Sequence, residues 1–181
     1  ANDGVLFSNT YKFAKNGAQG LCIEPSPSAY KKLILNHLIH PRIKCSNCAV
    51  SSTNGKILLK EDGYESTLSK VVSKKTDKSI EITCFTFDEL LKRFPNFINV
   101  DLVSIDVEGH ELKVLEGLSN ENFYSKFLVI ECDKLDLNKI SKFKWLDHYN
   151  AIISNGINTF YVNKNENFDI QGNLPKGFYI L

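Results

Sequence analysis

The chain has 181 residues, 43% of them hydrophobic and 24% charged, with a formal net charge of +1. That length can bury a substantial core, and the composition is that of an ordinary globular protein. Near-neutrality leaves no electrostatic footprint for nucleic acid, no apolar run reaches the length of a bilayer span, and no secretory leader is visible.

The chain holds no methionine and opens at Ala1, which reads as an excerpt or a processed product. The five cysteines are an odd set, and Cys22, Cys84 and Cys132 sit in apolar strand-like runs. No disulfide framework is expected, and a reducing, cytoplasmic compartment fits better. Cys45 and Cys48 form a C-x-x-C pair, but no second pair stands at zinc-ligand spacing. They are expected to be half-buried residues of one strand, with no metal.

In chain order, residues 5–16 read as a helix with Leu6, Phe7, Tyr11, Phe13 and Ala14 on an apolar face, closed by Gly17. Leu21-Cys22-Ile23 is a short buried strand ending at Glu24-Pro25. Ser26-Pro27-Ser28 opens a helix to about Leu38, with Tyr30, Leu33, Ile34 and Leu38 at helical spacing. Ile43 to Val50 reads as a third strand, and Asn54-Gly55 as a turn before Ile57-Leu58-Leu59. Residues 61–79 are polar and read as a long loop shaping an acceptor pocket. Ile80 to Phe85 alternates like a strand; Thr86 caps a helix that Pro95 stops.

Val103-Ser104-Ile105 then runs apolar up to Asp106, and helical periodicity takes over at Leu112, Leu115 and Leu118. This is a buried strand, a sharp turn and an amphipathic helix, with two carboxylates, a glycine and a histidine crowding the turn. Phe127 to Ile130 is another buried strand, ending at Glu131. A helix is expected over Leu137 to His148, followed by a hairpin about Asn155-Gly156.

Short strands alternating with helices predict one α/β domain over 1–181, with a core of about 1–163 and a polar tail over 164–181. The sheet is expected to be mostly parallel and flanked by helices, with a terminal antiparallel hairpin. A strand before the first helix is missing from this pattern. Ligands of such sheets bind outside the carboxyl ends of the strands, where Glu24, Asp106, Glu108 and Glu131 all fall. No G-x-G-x-x-G and no P-loop motif occurs, which weighs against nicotinamide and P-loop chemistry.

Ala1-Asn2-Asp3-Gly4 with Ser8-Asn9-Thr10, Gly20 to Pro25, Asn47 to Val50, Ser66-Thr67-Leu68, Ser104 to Glu111, Leu115-Glu116-Gly117 and Ile130-Glu131 together resemble the FkbM-type methyltransferases. The resemblance implies a Rossmann-like fold, S-adenosylmethionine as cofactor, and O-methylation of a sugar, polysaccharide or small-metabolite hydroxyl. The alternative is a non-catalytic binding or trafficking module on the same fold.

By the resemblance, Asn2, Asp3, Gly4 and Asn9 line the methionine and ribose side, and Glu24 with Pro25 the ribose hydroxyls. A helix-capping Asp3 and a solvated Glu24 are the plain alternatives. Cys48 and Ala49 edge the adenine, or simply pack in a strand. Asp106 contacts the donor or acceptor, caps the next helix, or does both. Glu108 and His110 are candidate bases, with bonding of the turn amides as the alternative role of Glu108. Glu131 orients the acceptor or is structural. His37, His40 and His148 read as surface or helix-end residues.

Overall fold

A computed structural model describes residues 1–5, 8, 11–60, 70–119, 121–131 and 139–181. Asn9, Cys132 and the Ser66-Thr67-Leu68 match lie outside the described residues.

Helix α1, Tyr11–Lys15, is shorter than the periodicity predicts. Its C-terminal end follows expectation: Gly17, at φ 80°, lets its own amide reach the Ala14 carbonyl and that of Ala18 reach Phe13. Strand β1, Gly20–Ile23, leads into α2, Pro27–Asn36. Ser26 caps α2 by accepting a bond from the Ala29 amide, and Pro27 fills a first-turn position where no donor is needed. Only one face of α2 is covered. Ala29 and Leu33 are buried, whereas Ile34 and Leu38, which share the apolar spacing, are exposed.

The single strand expected over 43–50 is two strands in two sheets. β2, Ile43–Ser46, runs parallel to β1, and β3, Ala49–Val50, runs parallel to β6, Ser79–Phe85. The break falls at Asn47, whose amide donates to the carbonyls of Glu24 and Pro25 and so turns the chain between sheets. β4, Gly55–Lys60, and β5, Lys70–Val72, complete the second sheet as antiparallel neighbours in the order β3-β6-β4-β5. The predicted loop therefore contains a strand.

Helix α3, Phe87–Arg93, is capped by Thr86, and Pro95 starts a short 3-10 turn, as the sequence predicts. β7, Asn99–Ile105, pairs parallel with β8, Tyr124–Glu131, across α4, Glu111–Glu116. Of the helix expected over 137–148, the described residues are helical at 139–140 and then form a 3-10 segment, Lys144–His148. The Trp145 indole there donates to the Leu115 carbonyl and meets the Tyr149 ring edge-on, turning the segment onto the core. β9, Tyr149–Ser154, and β10, Asn158–Asn163, form the predicted hairpin; Asn155 accepts from the amides of Ile157 and Asn158 across it. The tail adds β11, Tyr179–Ile180, antiparallel to β9.

The described strands form one parallel pair, β1-β2, and two mixed sheets, β3-β6-β4-β5 and β11-β9-β10-β8-β7; the expected single, mostly parallel sheet is not seen among them. β1 and β7 each pair on one side only among the described strands, so their sheets remain separate. The main core joins Ile105, Val114, Leu115, Leu128 and Ile130, anchoring β7, α4 and β8 together. A smaller cluster, Ala49, Leu59, Ile82 and Cys84, holds the second sheet. His37 is not at the surface: it is 6% exposed, edge-on to Tyr11 and His40, and in the path of any side chain at Gly4.

Candidate active site

A cavity of about 850 Å³ lies between β1 and β7 and reaches past the carboxyl ends of both. Its lower part lies between the unpaired edges of the two strands, so that successive residues of both, including Leu21, Cys22, Ile23, Leu102, Val103 and Ile105, border it. Its polar rim collects Asn2, Glu24 and Pro25 on one side and Asp106, Glu108 and His110 on the other, with Cys48 and Ala49 also lining it. Eight of the residues singled out from sequence thus meet at one cavity. Asp3 and Gly4 stand behind it, in the loop that carries Asn2.

The Glu24 corner is built by backbone amides. Glu24 Oε2 accepts from the Asn2 amide at 2.6 Å and Oε1 from the Ser26 amide at 2.8 Å, and the Ala1 amine lies 3.3 Å from Oε2. Glu24 is 6% exposed, so it is no solvated strand end. Its carboxylate joins the 1–4 loop, the end of β1 and the cap of α2. Asn2 adopts φ 51°, and Gly4 follows at φ 78°. A Cβ on Gly4 would stand 2.5 Å from Leu33 and 2.6 Å from His37, so only glycine lets the loop close against α2. Asp3 accepts from the Val5 amide rather than capping α1, and Asn36 of α2 donates to the Asp3 carbonyl.

On the other wall, the turn after β7 passes through two left-handed residues, Glu108 at φ 56° and Gly109 at φ 92°. Sequence reasoning offers Asp106 as helix cap and Glu108 as partner of the turn amides. The structure gives that bonding to Glu111: its Oε1 accepts from Val107 at 3.0 Å and Gly109 at 3.1 Å, and the residue is 7% exposed. Asp106 and Glu108 stay on the cavity rim. Glu111 is the residue that sequence reasoning missed, as is Asn47 on the opposite side. The signal for Glu111 was its place at the first turn of the helix, where a carboxylate meets unpaired amides.

His110 is half-buried, and its Nε2 lies 3.1 Å from the Ser51 hydroxyl. Burial pushes its pKa below the ordinary imidazole value, with Lys113 adding to the shift against the opposing charges of Glu111 and Glu116. It is therefore a neutral base at physiological pH. Glu131, at the end of β8, hydrogen-bonds Asp106. Burial first, then that bond and the charges of Asp106, Glu108 and Glu111, raise it to about 7. The raised carboxyl of Glu131 thus stands beside that of Asp106 at the strand ends. No group of three or more metal-type ligands occurs among the described residues. Cys48 is buried and Cys45 half-buried, the first beginning the turn into β3 and the second within β2.

No helix of the described residues is long and apolar enough to cross a membrane. The model of the methyltransferase FkbM domain matches residues 1–153. The chain is also 28% identical over 128 residues to hexuronic acid methyltransferase AglP of Haloferax volcanii. That match covers 68% of this chain and 52% of the relative, so the chain spans about half the relative's length. No solved structure matches it. The ordered motifs, the cavity they converge on and the match over residues 1–153 place this chain in the FkbM methyltransferase family.

Proposed function

We propose that the protein is an S-adenosylmethionine-dependent O-methyltransferase acting on a hydroxyl of a sugar-type acceptor. The observation that carries this reading is the convergence of the Glu24 and Asp106 strand ends on one cavity, in a chain of a methyltransferase family. The donor set suits the cofactor. The rim carries carboxylates, which complement a ligand with a sulfonium and an ammonium, and the walls below are apolar. Asn2 and Glu24 would hold the ribose side, Cys48 and Ala49 the adenine, and Asp106 the cationic methionine end. When bound, the cofactor supplies a methyl group already activated for displacement.

The chain's own residues then have two tasks. One is alignment: the Glu24 clamp and the Glu111-held turn fix the two rims relative to the strands, which is where most of the gain in such a transfer arises. The other is taking the proton of the acceptor hydroxyl. We assign this task to His110; its lining of the cavity and its neutrality at physiological pH support the reading. The Asp106–Glu131 pair positions the acceptor. The raised pKa of Glu131 limits negative charge beside the rim, so that an acidic sugar of the kind named for the archaeal relative meets less repulsion there.

The test is methyl transfer to neutral and hexuronic-acid oligosaccharides, followed as S-adenosylhomocysteine release. In the wild type the acid limb of the pH–rate profile falls below about 6.5, because activity is lost only as the depressed His110 takes up a proton. His110→Gln lowers kcat by about 100-fold or more and removes that limb, with donor affinity unchanged. An unchanged kcat and an unchanged limb would exclude His110 as the base.

A further inference from the structure

The chain is nearly neutral overall, at +1, but its charge is unevenly spread. Residues 11–46 hold Lys12, Lys15, Lys31, Lys32, Arg42 and Lys44, against one acid, Glu24, which is buried. Asp3 is the only other acid before residue 46. The same stretch exposes large apolar side chains. Leu35 is 66% exposed, Leu38 68% and Ile39 81%, and Phe13 on α1 is 51% exposed.

These features share one end of the molecule. α2 turns Ala29, Leu33 and then His37 inward. Helical spacing places Lys31 and Leu35 on the opposite side, centred away from Leu33, and Leu38 and Ile39 follow in the turn after the helix. α1 lies beside the end of α2, since the Tyr11 ring is 6.4 Å from that of His37 and 6.2 Å from that of His40. Arg42 ties the following strand to the same place by donating to the Gly17 carbonyl at 3.0 Å. Lys31 shares the Leu35 face of α2, Lys15 stands over the Tyr11 ring beside His40, and Arg42 follows at Gly17, so cations from three segments lie near the apolar tip.

We propose that this face docks on an anionic lipid bilayer, with Leu35, Leu38 and Ile39 entering the headgroup layer and the surrounding lysines meeting lipid phosphates. The combination selects this occupant. Exposed aliphatic side chains grouped this way gain from an apolar phase, and the basic rim gains from a negative surface. A second copy of the chain would bring the same cations face to face. A nucleic acid would use the charges but leave the aliphatic centre unsatisfied. The proposal rests on surface chemistry remote from the cavity and stands independently of the methyl-transfer reading.

The test is co-sedimentation of the protein with phosphatidylcholine vesicles with and without phosphatidylglycerol. Binding is expected only with the anionic lipid, and is lost at high salt. Leu35→Ser/Leu38→Ser/Ile39→Ser and Lys31→Glu/Lys32→Glu should each lower the partition coefficient by roughly tenfold or more. These positions are exposed, so an unchanged melting temperature separates lost docking from lost folding. No sedimentation with anionic vesicles, or binding indifferent to both variants, would overturn the proposal. A concentration-dependent dimer in light scattering that the triple serine variant abolishes would overturn it in favour of a second copy.

Discussion

Glu111 is the residue on which the β7–α4 turn depends. Its one carboxylate oxygen satisfies two amides exposed by the left-handed pair Glu108 and Gly109, and burial makes those bonds costly to lose. Glu111→Ala is expected to destabilise the protein by about 2–3 kcal/mol in urea unfolding, from charged hydrogen bonds at a buried site. Glu108→Gly, at a positive-φ position with no backbone amide to hold, should cost less than about 0.5 kcal/mol. Equal losses would contradict this division of labour. Sequence alone cannot divide it: in Asp106-Val107-Glu108-Gly109-His110-Glu111 three carboxylates lie within one turn of the same amides. Which one bonds them is decided by the two left-handed residues, and only Gly109 signals that conformation by its type. Glu24 was legible as a strand-end carboxylate, but its clamping of Asn2 and Ser26 depends on a loop 22 residues away.

At the scale of elements, the site depends on how closely α4 approaches the second sheet. A Cβ on Gly117 would stand 2.3 Å from the Ser51 carbonyl oxygen and 3.2 Å from the Phe87 amide nitrogen. The neighbouring bonds reinforce that contact, since Asp88 accepts from Ser119 and donates its amide to the Gly117 carbonyl. Ser51 also faces His110 at the other end of α4. Gly117→Ala should therefore push α4 off β3, lower the melting temperature by several degrees and reduce kcat more than it weakens donor binding. Retained kcat together with retained stability would show that α4 tolerates the shift. The caps at Ser26 and Thr86, the Pro95 stop and the Asn155-Gly156 hairpin were legible because each depends on local chemistry. The split of β2 from β3 was not, because a continuous run from Ile43 to Val50 carries no mark of two partner sheets. Nor was the shortened Lys144–His148 segment, which the packing of Trp145 against α4 decides.

For the whole molecule, the described strands form one parallel pair and two sheets of mixed direction, where alternating strands and helices suggest one mostly parallel sheet. The cavity between β1 and β7 gathers residues far apart in the sequence: Asn2, Glu24, Asp106 and His110. Strand ends and turn motifs were readable because they follow from the order of elements. The depth of the cavity and the Asp106–Glu131 pair depend on tertiary placement of β8 beside β7. The central claim is that this cavity binds S-adenosylmethionine. Isothermal calorimetry of S-adenosylhomocysteine into the folded protein tests it most directly. Saturable one-site binding, weakened at least about tenfold by Asp106→Ala and by Glu24→Gln, is the predicted result, the loss of one charged contact being worth about 1.5–3 kcal/mol. No binding heat from a protein with an intact melting transition, or binding unchanged in both variants, would contradict the account.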